Sequence, residues 1–206
     1  MISFIKFLLE ATSKKAKKKH LVLSFVRMNP PHRGHGEVIQ AGADEAKRVD
    51  GEHKVIMSHS QDPEKNPLTP QQKLKHAQRG WPGVQFETSS PSEPSLLHHL
   101  AKAHAAGHDE VTIVGGSDRD AFNDLAKKYN GVEAKHGYYK FKKINFVQAG
   151  AERQEGGEGV ASYSASGMRA AVKRGDKRAF RKMAPAGMSD EHKDDMYNDV
   201  EAGMKK

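Results

Sequence analysis

Residues 21–35 read Leu-Val-Leu-Ser-Phe-Val-Arg-Met-Asn-Pro-Pro-His-Arg-Gly-His. Leu21–Arg27 is an apolar run of strand length whose branched and aromatic side chains suit an extended chain. Asn29-Pro30-Pro31 stops it, because proline lacks the N–H a ladder needs and holds its predecessor out of the helical region. A helix is predicted from about Gly34 to Val49. Strand, tight loop and helix thus follow one another at once, and the rest of the chain repeats that alternation.

Working outward, Lys54–His59 is a second strand, followed by a polar loop over Ser60–Leu68. Thr69–Arg79 is a helix with Thr69 as its cap and Pro70 at its first position. Val84–Glu87 is a short strand and Ser95–Ala106 a helix ended by Gly107. Glu110–Val114 is a buried-type strand halted by Gly115-Gly116, Asp118–Tyr129 is helical, and Lys143–Val147 is the last strand. Helices follow at about Ser166–Arg174, Lys177–Met183 and Asp190–Ala202. Strands alternating with helices argue for one α/β domain, a doubly wound parallel sheet of about five strands with helices on both faces and a helical C-terminal extension. The expected divisions are an apolar leader and lysine-rich linker (1–19), the main domain (20–183) and a helical tail (184–206).

Composition narrows the classes. The 206 residues carry 34 Lys+Arg against 26 Asp+Glu, a net charge of +8. Six lysines against Glu10 give residues 1–20 a local +5, leaving +3 for the other 186. The basic excess is therefore mostly a property of the N-terminal segment, which argues against nucleic-acid binding by the globular part. Cysteine is absent, which excludes a disulfide framework, thiolate metal ligands and a cysteine nucleophile, and fits a reducing, cytoplasmic setting. No apolar run approaches the roughly 18 residues of a membrane span.

Parallel α/β sheets bind ligands beyond the carboxyl ends of their strands, so the loops after Arg27, His59 and Val114 carry the chemistry. After the first strand, His32 and His35 flank Gly34 where a helix begins. Backbone N–H groups and the helix dipole attract anions there, glycine permits close approach, and imidazoles donate to phosphate oxygens. By itself HxGH reads equally as a proline-kinked loop with surface histidines. Near the C-terminus, Ser162-Tyr163-Ser164-Ala165-Ser166-Gly167-Met168-Arg169 places two hydroxyls at a helix start and an arginine one turn in, a second phosphate cradle. That stretch alone also reads as an ordinary serine cap with a surface arginine.

Together the two segments resemble the HIGH-type nucleotidyltransferase superfamily, and most closely the archaeal-type nicotinamide-mononucleotide adenylyltransferases. Val26-Arg27-Met28-Asn29-Pro30-Pro31-His32-Arg33-Gly34-His35 follows the spacing of their GRFxPxHxGH loop. Asn66-Pro67-Leu68-Thr69-Pro70 resembles their NPFT-type helix start, and Gly115-Gly116-Ser117-Asp118 lies where relatives place a nucleotide-binding loop. The resemblance covers residues 20–183 and implies a Rossmann-like fold, transfer of AMP from ATP to nicotinamide mononucleotide, Mg²⁺ carried by the triphosphate, and homo-oligomers. By resemblance, His32 and His35 hold the α- and β-phosphates, Ser164, Ser166 and Arg169 grip the β/γ end, and Arg27 reaches substrate phosphate or triphosphate. Asn29, Pro30, Gly34, Gly115, Gly116 and Tyr163 line the nucleotide site, and Asp118 contacts ribose or the magnesium shell. Asn66 and Thr69 are assigned to the acceptor substrate, as is Trp81, which stacks on nicotinamide or else anchors a turn.

Departures are specific. Val26 stands at the first glycine, Met28 at the phenylalanine, and Gln72-Lys73 where relatives carry Glu-Arg. A cytidylyltransferase or another adenylyltransferase is the alternative reading, although the RTEGIST-like element of cytidylyltransferases is missing before Tyr163. His98, His99, His104 and His108 lie on or just past one amphipathic helix without a spaced carboxylate and read as solvated rather than metal-binding. Glu152–Gly159 lacks the Gly-Lys-Ser/Thr end of a Walker loop. Leu8-Leu9-Glu10 before Ala11 resembles the (Leu/Ile)-x-Glu site trimmed by prohead proteases of large tailed phages. On that reading residues 1–11 target the chain to a capsid interior, catalytic or not; otherwise they form a short apolar helix docking on their own domain.

Overall fold

The computed structural model describes residues 19–116, 120–150 and 163–205. The leader at 1–11, Asp118 and the loop at 152–159 lie outside the described residues. Among the described residues, β1 (His20–Val26), β2 (Glu52–Met57), β3 (Phe86–Thr88), β4 (Glu110–Gly115) and β5 (Lys143–Gln148) form one parallel sheet in the order β3-β2-β1-β4-β5. The helices are α1 (His35–Arg48), α2 (Pro70–Gly80), α3 (Leu96–Ala105), α4 (Asp120–Lys128), α5 (Ala165–Lys173), α6 (Lys177–Met183) and α7 (Asp190–Met204). This is the expected Rossmann-like α/β sheet with a helical C-terminal extension. No helix among the described residues is long and apolar enough to cross a membrane.

Side chains alternate across a strand with period two, and both faces here are apolar. Leu21, Leu23, Ile56, Val111 and Ile113 pack with Leu96 and Leu100 of α3 and Ala126 of α4. Val55 and Met57 pack with Ile39 and Ala77, and Val22 and Val114 with Ala46, so α1 and α2 cover the opposite face. Burial on both faces is why the strands read as continuous apolar runs. β1 pairs with both β2 and β4, so the chain leaves β1 toward one edge of the sheet and leaves β4 toward the other. The loops after β1 and β4 diverge there and open a cleft at their carboxyl ends.

The C-terminal helices build a core of their own. Met168 and Val172 of α5, Phe180 of α6 and Met196, Tyr197 and Val200 of α7 surround Leu68, which enters from the loop before α2. Ala184 and Met188, past the division expected at residue 183, belong to the same cluster. The Phe180 and Tyr197 rings meet edge to face at 5.2 Å, a geometry their quadrupoles favour. A charged contact ties α7 to α2: Lys75 reaches Asp199 at 2.7 Å and Asp195 at 3.1 Å, His76 meets Asp199 at 2.8 Å, and Arg79 pairs with Asp195. His76 is fully buried, and burial pushes it down to about 4 against the pull of Asp199. Neutral His76 donates Nε2–H to Asp199 and leaves only the Nδ1 lone pair without a partner.

The solvated reading of the histidines at 98–108 is corrected in part. His99 and His108 are buried, at 4% and 2% exposure. His99 lies on the inward stripe formed with Leu96, Leu100 and Ala103, the i, i+3, i+4, i+7 spacing of a core face, and its ring lies against Phe25. His108 approaches Glu52 at 3.4 Å. No metal-type cluster includes them among the described residues. His76, Asp195 and Asp199 do come together, but Lys75 and Arg79 already neutralise those carboxylates.

Candidate nucleotide-binding site

The cleft at the β1/β4 divergence measures about 320 Å³ and is lined by Arg27, Asn29, His32, Gly34, His35, Gly115, Gly116, Ser164, Ser166 and Arg169, over an apolar floor from Phe25 and Val38. Ten of the sixteen residues read from the sequence as site residues are thereby brought together. Pro30 is buried just behind the cleft, and the Tyr163 carbonyl lies 3.4 Å from where a Cβ on Gly34 would stand. Asp118 is outside the described residues.

The histidine pair is locked from the backbone. The N–H of His32 donates to His35 Nδ1 at 3.0 Å, and the N–H of Gly34 donates to His32 Nδ1 at 3.1 Å. A backbone N–H only donates, so each Nδ1 is the unprotonated nitrogen and each neutral ring carries its proton on Nε2. The rings lie 3.7 Å apart, tilted by 41°. Glycine at position 34 leaves room for the ring, because a Cβ would fall 3.0 Å from His32 Cε1 and push it aside. Met28, with φ of 47°, turns the chain out of β1, a left-handed conformation that costs a non-glycine residue about 1–3 kcal/mol. Its side chain is wholly buried, and that burial offsets the cost.

Two helix N-termini converge on the cleft. Gly34 caps α1, and Ser164 caps α5 by accepting the Gly167 N–H at 3.0 Å. The Ser164 and Ser166 hydroxyls are 3.0 Å apart. Each N-terminus turns a partial positive charge toward an anion, although at α1 the His35 and Gly36 N–H groups already bond the carbonyls of His32 and Arg33. Arg169, one turn into α5, donates to the Asn29 carbonyl at 2.8 Å. Burial lowers its pKa and the nearby Arg27 lowers it further, against Asp62 and Glu64. Lys73 is pushed down to about 8 by burial and then by Arg27. Arg27 and Arg169 thus repel each other within the lining, and an incoming polyphosphate would relieve that repulsion.

Several residues have other employment. Lys73, standing where the resembled motif has arginine, is not in the lining; fully buried, it donates to the carbonyls of Ser58 and Ser60 (3.2 Å for Ser60) and ties down the loop before α2. Thr69 and Gln72 form a reciprocal capping box at the start of α2. Asn66 folds back on Asp62. Trp81 packs beside Phe86, its indole nitrogen 3.4 Å from where a Cβ on Gly36 would stand. Asn29 lines the cleft, but its amide is committed: Nδ2 donates to the Leu68 carbonyl at 3.0 Å and Oδ1 accepts the Leu68 N–H at 2.9 Å. Sequence reading missed this pairing, and also Arg33, which binds the Ala184 carbonyl at 3.1 Å. Both reach partners far along the chain, and no local pattern marks them.

No family model matches the chain, and no curated protein matches it. Among solved structures it is similar to a bifunctional NMN adenylyltransferase/ADP ribose pyrophosphatase from Francisella tularensis, with a TM-score of 0.55, 12% identity and coverage of 89% of this chain. The chain spans about half of that protein, 53% of its length. At that identity the likeness is one of fold alone.

Proposed function

We propose that the chain is a nucleotidyltransferase that moves AMP from ATP to nicotinamide mononucleotide, forming NAD and pyrophosphate. The observation that carries the transferase reading is the backbone-locked pair His32 and His35, set in one cleft with Arg169 and two helix N-termini. A phosphate oxygen of the acceptor attacks the α-phosphorus, the bond to the bridging oxygen breaks, and pyrophosphate leaves with that electron pair. A phosphate monoester is largely ionised at neutral pH, its second pKa being about 6, so no dedicated base is needed. Catalysis then rests on positioning and on charge neutralisation. Nε2–H of His32 and His35 donates to oxygens on which charge develops, and Arg169 with the Ser164 and Ser166 hydroxyls holds the departing pyrophosphate.

The described lining holds cations and hydrogen-bond donors but no carboxylate. It therefore fits a polyphosphate whose charge is partly offset by its own Mg²⁺, rather than an ion held by the protein alone. The nicotinamide assignment rests on the motif resemblance; the fold likeness supports only the sheet that carries it. The placement of Trp81 in packing, outside the cleft lining, favours a second reading with the same chemistry on another phosphate monoester.

The test is pyrophosphate release from ATP and Mg²⁺ with nicotinamide mononucleotide, with NAD detected by mass. NAD formation that His35→Ala abolishes supports the reading. Release with another monoester only moves the acceptor, and silence with every acceptor overturns the proposal.

A further inference from the structure

Gly203, in the last turn of α7, lies directly on the loop before α2. A Cβ there would fall 2.1 Å from the Pro67 carbonyl oxygen and 2.9 Å from Pro67 Cβ, so the helix backbone is seated on that proline. The next residue, Leu68, is fully buried among the C-terminal helices. Its N–H and C=O are both taken by the Asn29 amide, at 2.9 and 3.0 Å. Two hydrogen bonds from one planar group fix distance and rotation together, as a pair of ladder bonds does. On the other side of Asn29, its own carbonyl receives the Arg169 guanidinium at 2.8 Å. Four links therefore join the end of α7 to the cleft: Gly203 on Pro67, Leu68 beside it, Leu68 on Asn29, and Asn29 on Arg169.

We propose that Asn29 is a positioning residue that transmits the seating of α7 on Pro67 to Arg169, so that this helix sets how tightly the cleft holds a polyphosphate. The proposal rests on the nucleotidyltransferase reading of the cleft. Asparagine suits the role because it offers a donor and an acceptor side by side; aspartate lacks the donor for the Leu68 carbonyl and alanine lacks both. A small displacement is enough, since about 1 Å of misplacement costs on the order of a hundredfold in rate. The charged contact between α2 and α7 continues the same stripe of the helix, with Asp195, Asp199 and Gly203 spaced i, i+4, i+8: Asp199 receives Lys75 and His76, and Asp195 receives Lys75 and Arg79.

The experiment compares wild type with Gly203→Ala and Asn29→Ala, well below their melting temperatures. MgATP affinity is read by calorimetry, Leu68 amide exchange and the Arg169 Nε–H resonance by NMR. Both variants are expected to weaken MgATP by roughly tenfold, to speed Leu68 exchange and to shift the Arg169 resonance. A Gly203→Ala protein that only melts earlier, with MgATP affinity and the Arg169 signal unchanged, makes α7 a scaffold and overturns the proposal. If Gly203→Ala does not fold, Asp199→Asn, which loosens α7 without touching the cleft, takes its place under the same criteria. A wild type that binds no nucleotide defeats the functional reading, whereas the Leu68 and Arg169 signals still decide whether α7 and the cleft are coupled.

Discussion

Replacing His35 removes two interactions that separate cleanly by choice of variant. One is the ring's Nε2–H; losing a preorganised donor to developing charge costs about 10²–10³ in kcat, or about 2.7–4 kcal/mol. The other is the acceptor for the His32 N–H, met at 3.0 Å by His35 Nδ1. Orphaning a buried donor costs about 1–3 kcal/mol of stability. At about 2–4 °C per kcal/mol for a chain of this size, His35→Ala should lower Tm by about 2–12 °C. His35→Asn divides the two effects, because its amide oxygen takes the place of Nδ1 while nothing occupies the place of Nε2. The asparagine variant is expected to melt within about 2 °C of wild type and to turn over as slowly as the alanine one. The assay is pyrophosphate release alongside thermal melts followed by circular dichroism. Wild-type turnover in either variant would refute the assignment of the histidine pair to the chemistry.

Gly34→Ala should lower kcat roughly ten- to a hundredfold by displacing the His32 ring; because φ at Gly34 is −61°, the backbone tolerates alanine, and a large loss of Tm with unchanged kcat would contradict this. Arg169→Ala should raise KM for ATP by roughly tenfold, as loss of a charge-assisted donor does, and an unchanged KM and kcat would reject its role. Below its unfolded value of 6.5, His76 leaves the folded chain short of a proton until about 4, so stability should fall as pH drops through that window, by up to about 1.4 kcal/mol per pH unit. His53, His99 and His136 are also lowered by burial and share that limb. His76→Gln should therefore reduce the slope of urea-derived stability against pH by up to one proton; an unaltered slope would show that His76 does not titrate there.

What the sequence disclosed was chemistry acting over a few residues. Thr69 with Gln72, Ser164 with Gly167, and His32 with His35 and Gly34 each form bonds within one helical turn, so their spacing is their structure. The apolar runs of β1, β2 and β4 disclosed a buried sheet for the same reason, because alternation and length are local. The employment of Asn29, Lys73 and Trp81 was not legible. Asn29 answers to Leu68, 39 positions away, and Arg33 to Ala184, 151 positions away. Residue type marks such a side chain as polar or aromatic, whereas its partner is decided by packing. His99 was readable in principle, since it shares its helical spacing with Leu96, Leu100 and Ala103, yet its titratable ring suggested the surface.

The shell around Leu68 bears on how the protein is made. Met168, Phe180, Met196 and Val200 surround it, and each is synthesised a hundred or more residues after it. A nascent chain that has just completed β5 holds all five strands but leaves Leu68 without that shell, and Arg169 does not yet exist to meet the Asn29 carbonyl. Such distant pairings close late, after the ribosome has released the helices that supply them. Ligand binding by ribosome-held chains arrested at successive lengths should therefore switch on abruptly with the emergence of α7 rather than grow with the sheet.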